Sequence, residues 1–153
     1  MRTRGFEIAK GYENRGINIP VRKTKNSAGY DVEAAEDVMI EPFKLGMKPT
    51  LIKTGLKAYC GEDEYYMLVN KSSNPFKKGL VMANSIGIID ADYYNNEDND
   101  GHFMFCYYNF FSEPINIKKG DLIGQVIFNK FLVCDNDTAT GKRKGGFGST
   151  SKE

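Results

Sequence analysis

Short segments rich in β-branched and aromatic residues recur along the chain, and glycine, proline, asparagine and aspartate separate them. This feature constrains the fold most, because such segments between turn signals are typical of strands in an all-β domain. Residues 103–108 alternate between two faces, as a half-buried strand requires. Strands are predicted at these segments: Ile17–Val21, Tyr30–Ala34, Val38–Glu41, Thr50–Tyr59, Tyr65–Asn70, Phe103–Phe111, Ile115–Ile117 and Leu122–Val133.

Helical signals are weak, since no segment shows a sustained helical period. The best helix start is S-S-N-P at residues 72–75, because proline suits a first helical turn, and Gly79 is expected to end that helix quickly. A chain of 153 residues is expected to form one domain with its own core. We therefore predict an all-β, single-domain fold, a jelly-roll-like barrel or sandwich over residues 1–140, followed by a flexible, glycine-rich lid segment over residues 141–153.

The composition argues against several classes of protein. The chain has 21 Lys and Arg against 20 Asp and Glu, which does not favour a broad surface for nucleic acid or membranes. No apolar stretch follows the N-terminal charges, so no signal peptide is expected and the predicted location is the cytoplasm. Cys60, Cys106 and Cys134 lack a short C-x-x-C spacing and are interpreted as reduced, buried thiols. His102 is the only histidine, which argues against a structural zinc site and a histidine-dependent triad.

The stretch G-I-I-D-A-D-Y at residues 87–93 carries two carboxylates beside an apolar pair. Within a strand, Asp90 and Asp92 would share one face, ~6–7 Å apart. Aspartate is depleted in strands, so the pair requires an explanation. Either the strand runs out into a turn with both carboxylates in water, or a rigid hairpin carries a general base or a metal-linked carboxylate.

Four further stretches place polar groups at turns and strand ends. Asp31 follows a small-residue pair at a strand start, and K-S-S at residues 71–73 lies at a strand-to-helix junction, where free backbone N–H groups can bind phosphate. Residues 120–125 form a turn that leads into an apolar strand with a lone amide, Gln125. The tail K-R-K-G-G-F-G-S-T, residues 142–150, combines positive charge, glycine and one aromatic ring. Each alone has a simple structural explanation, which for the tail is a frayed terminus.

Together, in this order from Ala28 to Thr150, the five stretches resemble the motifs of the homotrimeric dUTPase family, including its Firmicute or phage-type members. The parts at residues 87–93 and 145–150 match best, and the resemblance covers most of the chain. It implies a dUTPase-type β fold and hydrolysis of dUTP to dUMP and pyrophosphate, which keeps uracil out of DNA. The implied reaction is Mg²⁺-assisted attack of water on the α-phosphorus, in which positioning and charge neutralisation dominate.

The resemblance assigns the reacting groups to several strands. Asp90 would activate the attacking water, and Asp31 would hold a water on Mg²⁺, whose direct ligands come from the triphosphate. Ser72, Ser73 and Gln125 match positions that contact the phosphates.

Base and sugar selection would lie in residues 84–93. Asn84, Gly87 and Ile89 belong to the part that reads the uracil edge, where a buried polar group left unpaired by cytosine would reject that base. Tyr93 would pack on the deoxyribose and exclude a 2′-hydroxyl. The alternative for Tyr93 is a strand aromatic that faces the core.

The tail would act as a lid that is disordered when empty and folds over bound nucleotide. Phe147 would stack on uracil, Arg143 would clamp the phosphates, and Ser149 and Thr150 would donate further hydrogen bonds to them. Gly148 and its neighbouring glycines would let the lid form without side-chain clashes. The resemblance also implies a homotrimer with three shared sites, in which the tail reaches across to another subunit.

The chain departs from the family pattern in three places. Lys71 stands where arginine is usual, which keeps the charge but loses the planar fork that binds phosphate. The usual arginine position in the tail holds Lys142, and Arg143 lies one residue nearer to Phe147. The segment Asn95–Gly101 is a longer, acidic loop, interpreted as a solvated hairpin tip and a candidate surface for a regulatory partner, and we expect it not to touch the chemistry.

Three other functions remain open from the sequence. The first is a dCTP deaminase, or a bifunctional deaminase and dUTPase, of the same fold. The second is a nucleotide-binding regulator that acts through protein contacts. The third is a β-sandwich binding module without enzymatic activity, which the order of the five motifs disfavours.

Overall fold

The computed structural model describes residues 1–151, and the last two residues of the predicted tail, Lys152 and Glu153, lie outside that range. None of the helices within those 151 residues is long and apolar enough to cross a bilayer. The elements are β1 (Gly5–Ile8), β2 (Tyr30–Glu33), β3 (Val38–Ile40), β4 (Thr50–Lys53), β5 (Leu56–Tyr59), β6 (Glu64–Val69), α1 (Asn74–Lys78), β7 (Leu80–Met82), β8 (Gly87–Asp90), a 3-10 helix (Ala91–Tyr93), β9 (Met104–Asn109), β10 (Ile115–Ile117) and β11 (Leu122–Lys130).

The strands form two larger and two smaller antiparallel sheets. Strands β2, β11, β6 and β8 make a four-stranded sheet in that order, β4, β9 and β7 make a three-stranded sheet, and β1 pairs with β5 as β3 does with β10. Gln125 of β11 lies opposite Asp31 of β2 on one side and Val69 of β6 on the other. Asp90 of β8 lies opposite Tyr65 of β6. This register determines where the predicted site residues stand.

One apolar core lies between the sheets, because alternate residues of each strand point inward. In β9, Phe105 and Tyr107 are fully buried, whereas Met104, Cys106 and Tyr108 are half-buried. The buried apolar residues of the core cluster are Val32, Ala34, Ile40, Ile52, Leu56, Ala58, Tyr66, Leu68, Leu80, Met82, Tyr93, Phe103, Phe105, Tyr107, Ile117, Ile123 and Val126. The prediction of a single all-β domain is confirmed for the fold class.

The short helix forms where the sequence places it. Pro75 occupies the first turn of α1, and Gly79 ends the helix with a left-handed φ of 61°. A Cβ at Gly79 would lie 2.8 Å from the backbone nitrogen of Phe111. Glycine is therefore required there both for its backbone conformation and for the close approach of the neighbouring chain.

Several strand predictions are wrong in detail. Ile17–Val21 is not a strand: only Val21 forms an isolated bridge, to Asp31, and Pro20 has no N–H to extend a ladder. Leu122–Val133 ends at Lys130 in the structure. Strands β1 and β7 were not predicted, since segments of four and three residues are too short to show a reliable period.

The predicted strand Thr50–Tyr59 is broken into β4 and β5, which join different sheets. Gly55 turns the chain with a φ of +68°. The buried His102 supports this turn, because its Nε2 accepts hydrogen bonds from the backbone N–H groups of Gly55 (2.9 Å) and Thr54 (3.3 Å). Burial, reinforced by the nearby charge of Lys53, lowers the pKa of His102 to about 4.

His102 is expected to make stability depend on pH. Its folded pKa of about 4 lies below the unfolded value of ~6.5, so the unfolded chain binds more protons between these values. We predict that the thermal midpoint falls progressively as the pH is lowered from about 6.5 towards 4. Comparison with His102→Gln isolates this contribution from the titrating carboxylates. Identical pH profiles for the two proteins would contradict the prediction.

The three cysteines are free. Cys60 and Cys106 are half-buried, but Cys134 is exposed, so the expectation of a buried thiol is wrong at that position. Burial raises the pKa of Cys60 to about 11, which keeps that sulfur a thiol at neutral pH.

Candidate active site

A pocket of about 190 Å³ lies between β8 and β9 and opens beside the C-terminal tail. Its lining combines apolar side chains with a small number of polar groups, as in most small-molecule sites. The lining residues are Leu51, Leu68, Asn84, Gly87, Ile88, Ile89, Asp90, Tyr93, Phe103, Met104, Cys106, Arg143, Gly146 and Phe147. Seven of these were predicted site residues, namely Asn84, Gly87, Ile89, Asp90, Tyr93, Arg143 and Phe147.

Asp90 and Asp92 stand at the mouth of this pocket and bind the same guanidinium. Arg143 donates from Nη2 to Asp90 Oδ2 at 2.5 Å and from Nε to Asp92 Oδ1 at 2.6 Å. The two carboxylates are more than half exposed, whereas the Arg143 side chain is 17% exposed. The predicted hairpin is absent: β8 ends at Asp90, Asp92 lies in the 3-10 helix, and the next strand, β9, belongs to the other sheet.

Tyr93 is 6% exposed and is held at its hydroxyl group. The hydroxyl donates to the carbonyl oxygen of His102 at 2.9 Å and accepts from Asn99 Nδ2 at 2.7 Å. Burial raises the pKa of this phenol, so it stays neutral and keeps its proton for His102. The two interpretations of Tyr93 are thus compatible, since the ring belongs to the core cluster and also lines the pocket.

The tail lies over its own pocket in this structure. Phe147 lines the opening, is 77% exposed and has a positive φ of 52°. A Cβ at Gly146 would lie 2.7 Å from the ring carbon Cε2 of Tyr93, so only glycine lets the backbone approach the ring so closely. This contact between tail and pocket is within one chain, and a tail that reaches across to another subunit stays a prediction.

Asp31, Lys71 and Gln125 form a second polar group on the four-stranded sheet. Lys71 Nζ donates to Asp31 Oδ1 at 2.9 Å, and the side chains are 24% and 11% exposed. Gln125 Nε2 donates to the carbonyl oxygen of Asn70 at 3.1 Å. A Cβ at Gly29 would lie 2.0 Å from Gln125 Oε1, so the glycine leaves room for that amide. Lys71 thus binds a carboxylate here through a single charged contact.

The two groups are far apart within one chain. Asp31 and Asp90 lie on the two edge strands of the four-stranded sheet, three strand spacings apart. Across the sheet, Asp31 is aligned with Val69 of β6 through Gln125, and Asp90 is aligned with Tyr65 of β6. The two aspartates are therefore offset by four residues along the strand direction. With ordinary strand spacings, the two carboxylates are ~20 Å apart. One chain therefore does not bring all the predicted residues together.

The remaining predicted residues lie outside the pocket lining. Ser72 is exposed and Ser73 half-buried at the junction between β6 and α1. Gly148, Ser149 and Thr150 are exposed in the tail. Their assignment to phosphate contacts stays a prediction.

Seven lining residues were not among the predicted site residues: Leu51, Leu68, Ile88, Phe103, Met104, Cys106 and Gly146. Of these, Leu51, Met104 and Cys106 lie on β4 and β9, which face the pocket from the other sheet. Strand alternation places Met104 and Cys106 on the face of β9 opposite the core, but it does not show which surface that face meets. The Cys106 Sγ lies 3.4 Å from Asn84 Oδ1.

Comparison with known proteins supports the family resemblance found in the sequence. The sequence profile of the family described as dUTPase matches residues 15–151. The chain is also 51% identical over 152 residues to a deoxyuridine 5′-triphosphate nucleotidohydrolase of Lactococcus lactis subsp. lactis (strain IL1403), across 98% of this chain and 99% of that protein. The chain belongs to the dUTPase family.

Solved structures agree with this membership. The crystal structure of a dUTPase from Streptococcus mutans superposes with a TM-score of 0.80 and 39% identity, covering 86% of this chain and 99% of that chain. A mutant dUTPase from phage phi11 of S. aureus, described with a structural Mg(II) ion, superposes with a TM-score of 0.69 over 92% of this chain and 98% of its own. Its identity of 20% shows the shared fold alone. The resemblance to the family and the dUTPase-type fold are thus confirmed.

Proposed function

We propose that this protein hydrolyses dUTP to dUMP and pyrophosphate. The observation that carries the proposal is one small pocket lined by an amide, a carboxylate, a tyrosine and a tail phenylalanine: Asn84, Asp90, Tyr93 and Phe147. Asn84 can pair with the uracil edge, and Phe147 can stack on the base. Asp90 can activate a water molecule, and Tyr93 can pack on the deoxyribose. Membership of the dUTPase family supports the same activity.

Asp90 acts as the general base. Its carboxylate lies at the pocket mouth, more than half exposed and accessible to a water molecule. Arg143, which binds Asp90 in this structure, is drawn to the triphosphate when nucleotide binds, because the phosphates carry the greater negative charge. Asp90 then takes a proton from the water that attacks the α-phosphorus, and pyrophosphate leaves.

Base selection uses the polar edge of the pocket. Asn84 and the backbone of Gly87 and Ile89 pair with the uracil edge, where cytosine presents a donor in place of an acceptor. Tyr93, buried and held at its hydroxyl, leaves no room for a 2′-hydroxyl. Phe147 stacks on the base from the tail, and Ser149 and Thr150 donate to the phosphates.

The polar group formed by Asp31, Lys71 and Gln125 suits a Mg²⁺ ion whose direct ligands come mainly from the substrate. No group of three or more His, Cys, Asp or Glu side chains in residues 1–151 is arranged to hold a metal, and a triphosphate supplies such ligands itself. Asp31 Oδ2 makes no hydrogen bond to any described residue and can accept one from a metal-bound water. When bound, Mg²⁺ neutralises the charge of the leaving pyrophosphate. Gln125, Ser72 and Ser73 orient the phosphates.

The proposal requires more than one chain at each site. Because Asp31 lies ~20 Å and Gln125 ~16 Å from Asp90 by sheet geometry, a nucleotide can contact both groups only where two copies meet. A homotrimer with a closed threefold ring supplies three such sites. No feature of residues 1–151 favours the deaminase, the regulator or the binding module over this function.

The shared site leads to a test by subunit mixing. Asp90→Asn and Gln125→Ala should each abolish most turnover alone. When the two proteins are unfolded together and refolded as a 1:1 mixture, about a quarter of the sites regain both intact groups if subunits assemble at random. Pyrophosphate release by the mixture, compared with each variant refolded alone, measures this recovery. A mixture that forms trimers and stays inactive would show that the site lies within one chain.

The activity itself is tested with Mg²⁺ and four nucleotides, dUTP, dTTP, dCTP and UTP, assayed side by side for pyrophosphate. We expect fast release from dUTP alone. Ammonia from dCTP would indicate the deaminase alternative. Release from none of the four would refute the proposed function and favour the regulator.

A further inference from the structure

The Asn95–Gly101 loop, to which the proposed mechanism gives no task, contacts Tyr93 directly. Asn99 Nδ2 donates to the Tyr93 hydroxyl at 2.7 Å, and Asn96 Nδ2 donates to the Tyr93 carbonyl oxygen at 2.8 Å. Asn96 is only 7% exposed. The interpretation of this loop as a solvated hairpin tip is therefore wrong.

The orientation of the Asn99 amide is fixed by the loop itself. Asn99 Oδ1 accepts from the backbone N–H of Gly101 at 3.1 Å and from Asn96 Nδ2 at 2.8 Å. Because Asn99 Oδ1 already accepts these two hydrogen bonds, the amide is oriented with its NH₂ group towards the Tyr93 hydroxyl. Each buried polar group of the network has a partner, and such networks hold a single arrangement rigidly.

The loop is also anchored at its far end. Lys57 of β5 donates from Nζ to Asn95 Oδ1 at 2.6 Å and to Asp100 Oδ2 at 2.9 Å. The backbone N–H of Lys10 donates to the same Asp100 oxygen at 2.9 Å. Because the Lys57 side chain is 12% exposed, this contact is less screened than a surface ion pair. The loop is thus tied to the sheet on one side and to Tyr93 on the other.

The tail rests on the same loop. A Cβ at Gly145 would lie 1.6 Å from Asp98 Oδ2, and Gly145 is buried. The next residue, Gly146, touches the Tyr93 ring. Loop, tyrosine ring and tail therefore form one contiguous unit at the pocket.

We propose that Asn99 is a positioning residue for sugar selection, which acts by holding the Tyr93 ring where a 2′-hydroxyl would overlap it. The inference rests on the proposed function, in which that ring packs on the deoxyribose. Steric rejection works only if the ring cannot retreat, because a side chain free to shift by an ångström would admit the extra oxygen. The Asn99 hydrogen bond and the His102 carbonyl fix the far end of the ring.

The test is the ratio of kcat/KM for dUTP to that for UTP. Asn99→Ala should lower this ratio about tenfold, chiefly by raising kcat/KM for UTP. A change of this size corresponds to the loss of roughly one buried hydrogen bond. A purely structural defect would lower both values together and leave the ratio unchanged. Glu97→Ala is the matched control, since Glu97 lies in the same loop, is exposed and makes no hydrogen bond or ion pair with a described residue.

A double-mutant cycle shows whether Asn99 acts through the tyrosine. Tyr93→Phe removes this hydrogen bond together with the one to the His102 carbonyl oxygen, and it should lower the ratio at least as much as Asn99→Ala does. Adding Asn99→Ala to Tyr93→Phe should then change the ratio by less than about twofold, because coupled groups are not additive. Where Asn99→Ala does not fold, an unchanged ratio in Tyr93→Phe still overturns the inference, since this variant removes both hydrogen bonds at the hydroxyl and leaves the loop residues intact.

The outcomes separate this inference from the function on which it rests. Turnover of dUTP by the unaltered protein, with an unchanged ratio in both single variants, would overturn the inference and leave the proposed function standing. Fully additive effects on the ratio would also overturn it. Absence of dUTP turnover by the unaltered protein would overturn both.

Discussion

Asp90→Asn is expected to lower kcat for dUTP by about 10²–10⁴-fold, the range typical of a general base. The amide keeps the shape of the side chain but cannot take the proton from water, so the Kd for dUTP should stay close to that of the unaltered protein. Single-turnover rates of pyrophosphate release and equilibrium binding, measured on the same preparation, test both halves of the prediction.

Asp92→Asn is the matched control for this variant. Asp92 binds Arg143 as Asp90 does, so its loss disturbs the same guanidinium without removing the base. Exposed ion pairs contribute up to ~1 kcal/mol, which corresponds to a loss below about tenfold. Normal hydrolysis by Asp90→Asn, or equal losses in the two variants, would show that Asp90 is not the base.

Deletion of residues 141–153 is expected to lower kcat/KM for dUTP by about 10²–10³-fold, the loss typical of one preorganised transition-state donor. The deletion removes Arg143 from the phosphates and Phe147 from the base, and it leaves the pocket open to water. The β domain should remain folded, since most tail residues described are exposed. Thermal midpoints of the deleted and full-length proteins should differ by only a few degrees.

Point variants separate the two contributions of the tail. Arg143→Ala should act mainly on kcat, because the phosphate charge changes during the reaction, and Phe147→Ala mainly on KM, because stacking on uracil is the same before and during it. Lys144→Ala is the control, as its exposed side chain makes no hydrogen bond or ion pair within residues 1–151. Full activity of the protein that lacks residues 141–153 would contradict a role for the tail and favour its interpretation as a frayed terminus.

Much of the fold follows from local sequence signals. Alternating residues such as those of β9, and the S-S-N-P start and Gly79 end of α1, are decided within a few residues of chain and were predicted correctly. The predicted strand Thr50–Tyr59 failed because its break depends on His102, 47 residues further along, which supports the turn at Gly55. Such long-range contacts leave no periodic signal.

The site was also predictable only where its residues lie close together in the sequence. The motif at residues 87–93 identified Asp90 and Tyr93, which do line the pocket. The contact of the Asn95–Gly101 loop with Tyr93 was missed, because asparagines in such a loop are typical of solvated turns, and only the fold buries Asn96 and turns Asn99 towards Tyr93. The contact of Arg143 with Asp90 spans 53 residues, and neither side chain indicates the other in the sequence.

Hydrolysis of dUTP in water enriched in ¹⁸O tests the central claim most directly. If water activated at Asp90 attacks the α-phosphorus, the label enters dUMP and the released pyrophosphate carries none. Mass spectra of both products after a single turnover decide the point. Label found in pyrophosphate instead of dUMP would place the attack on the β-phosphorus and contradict the mechanism.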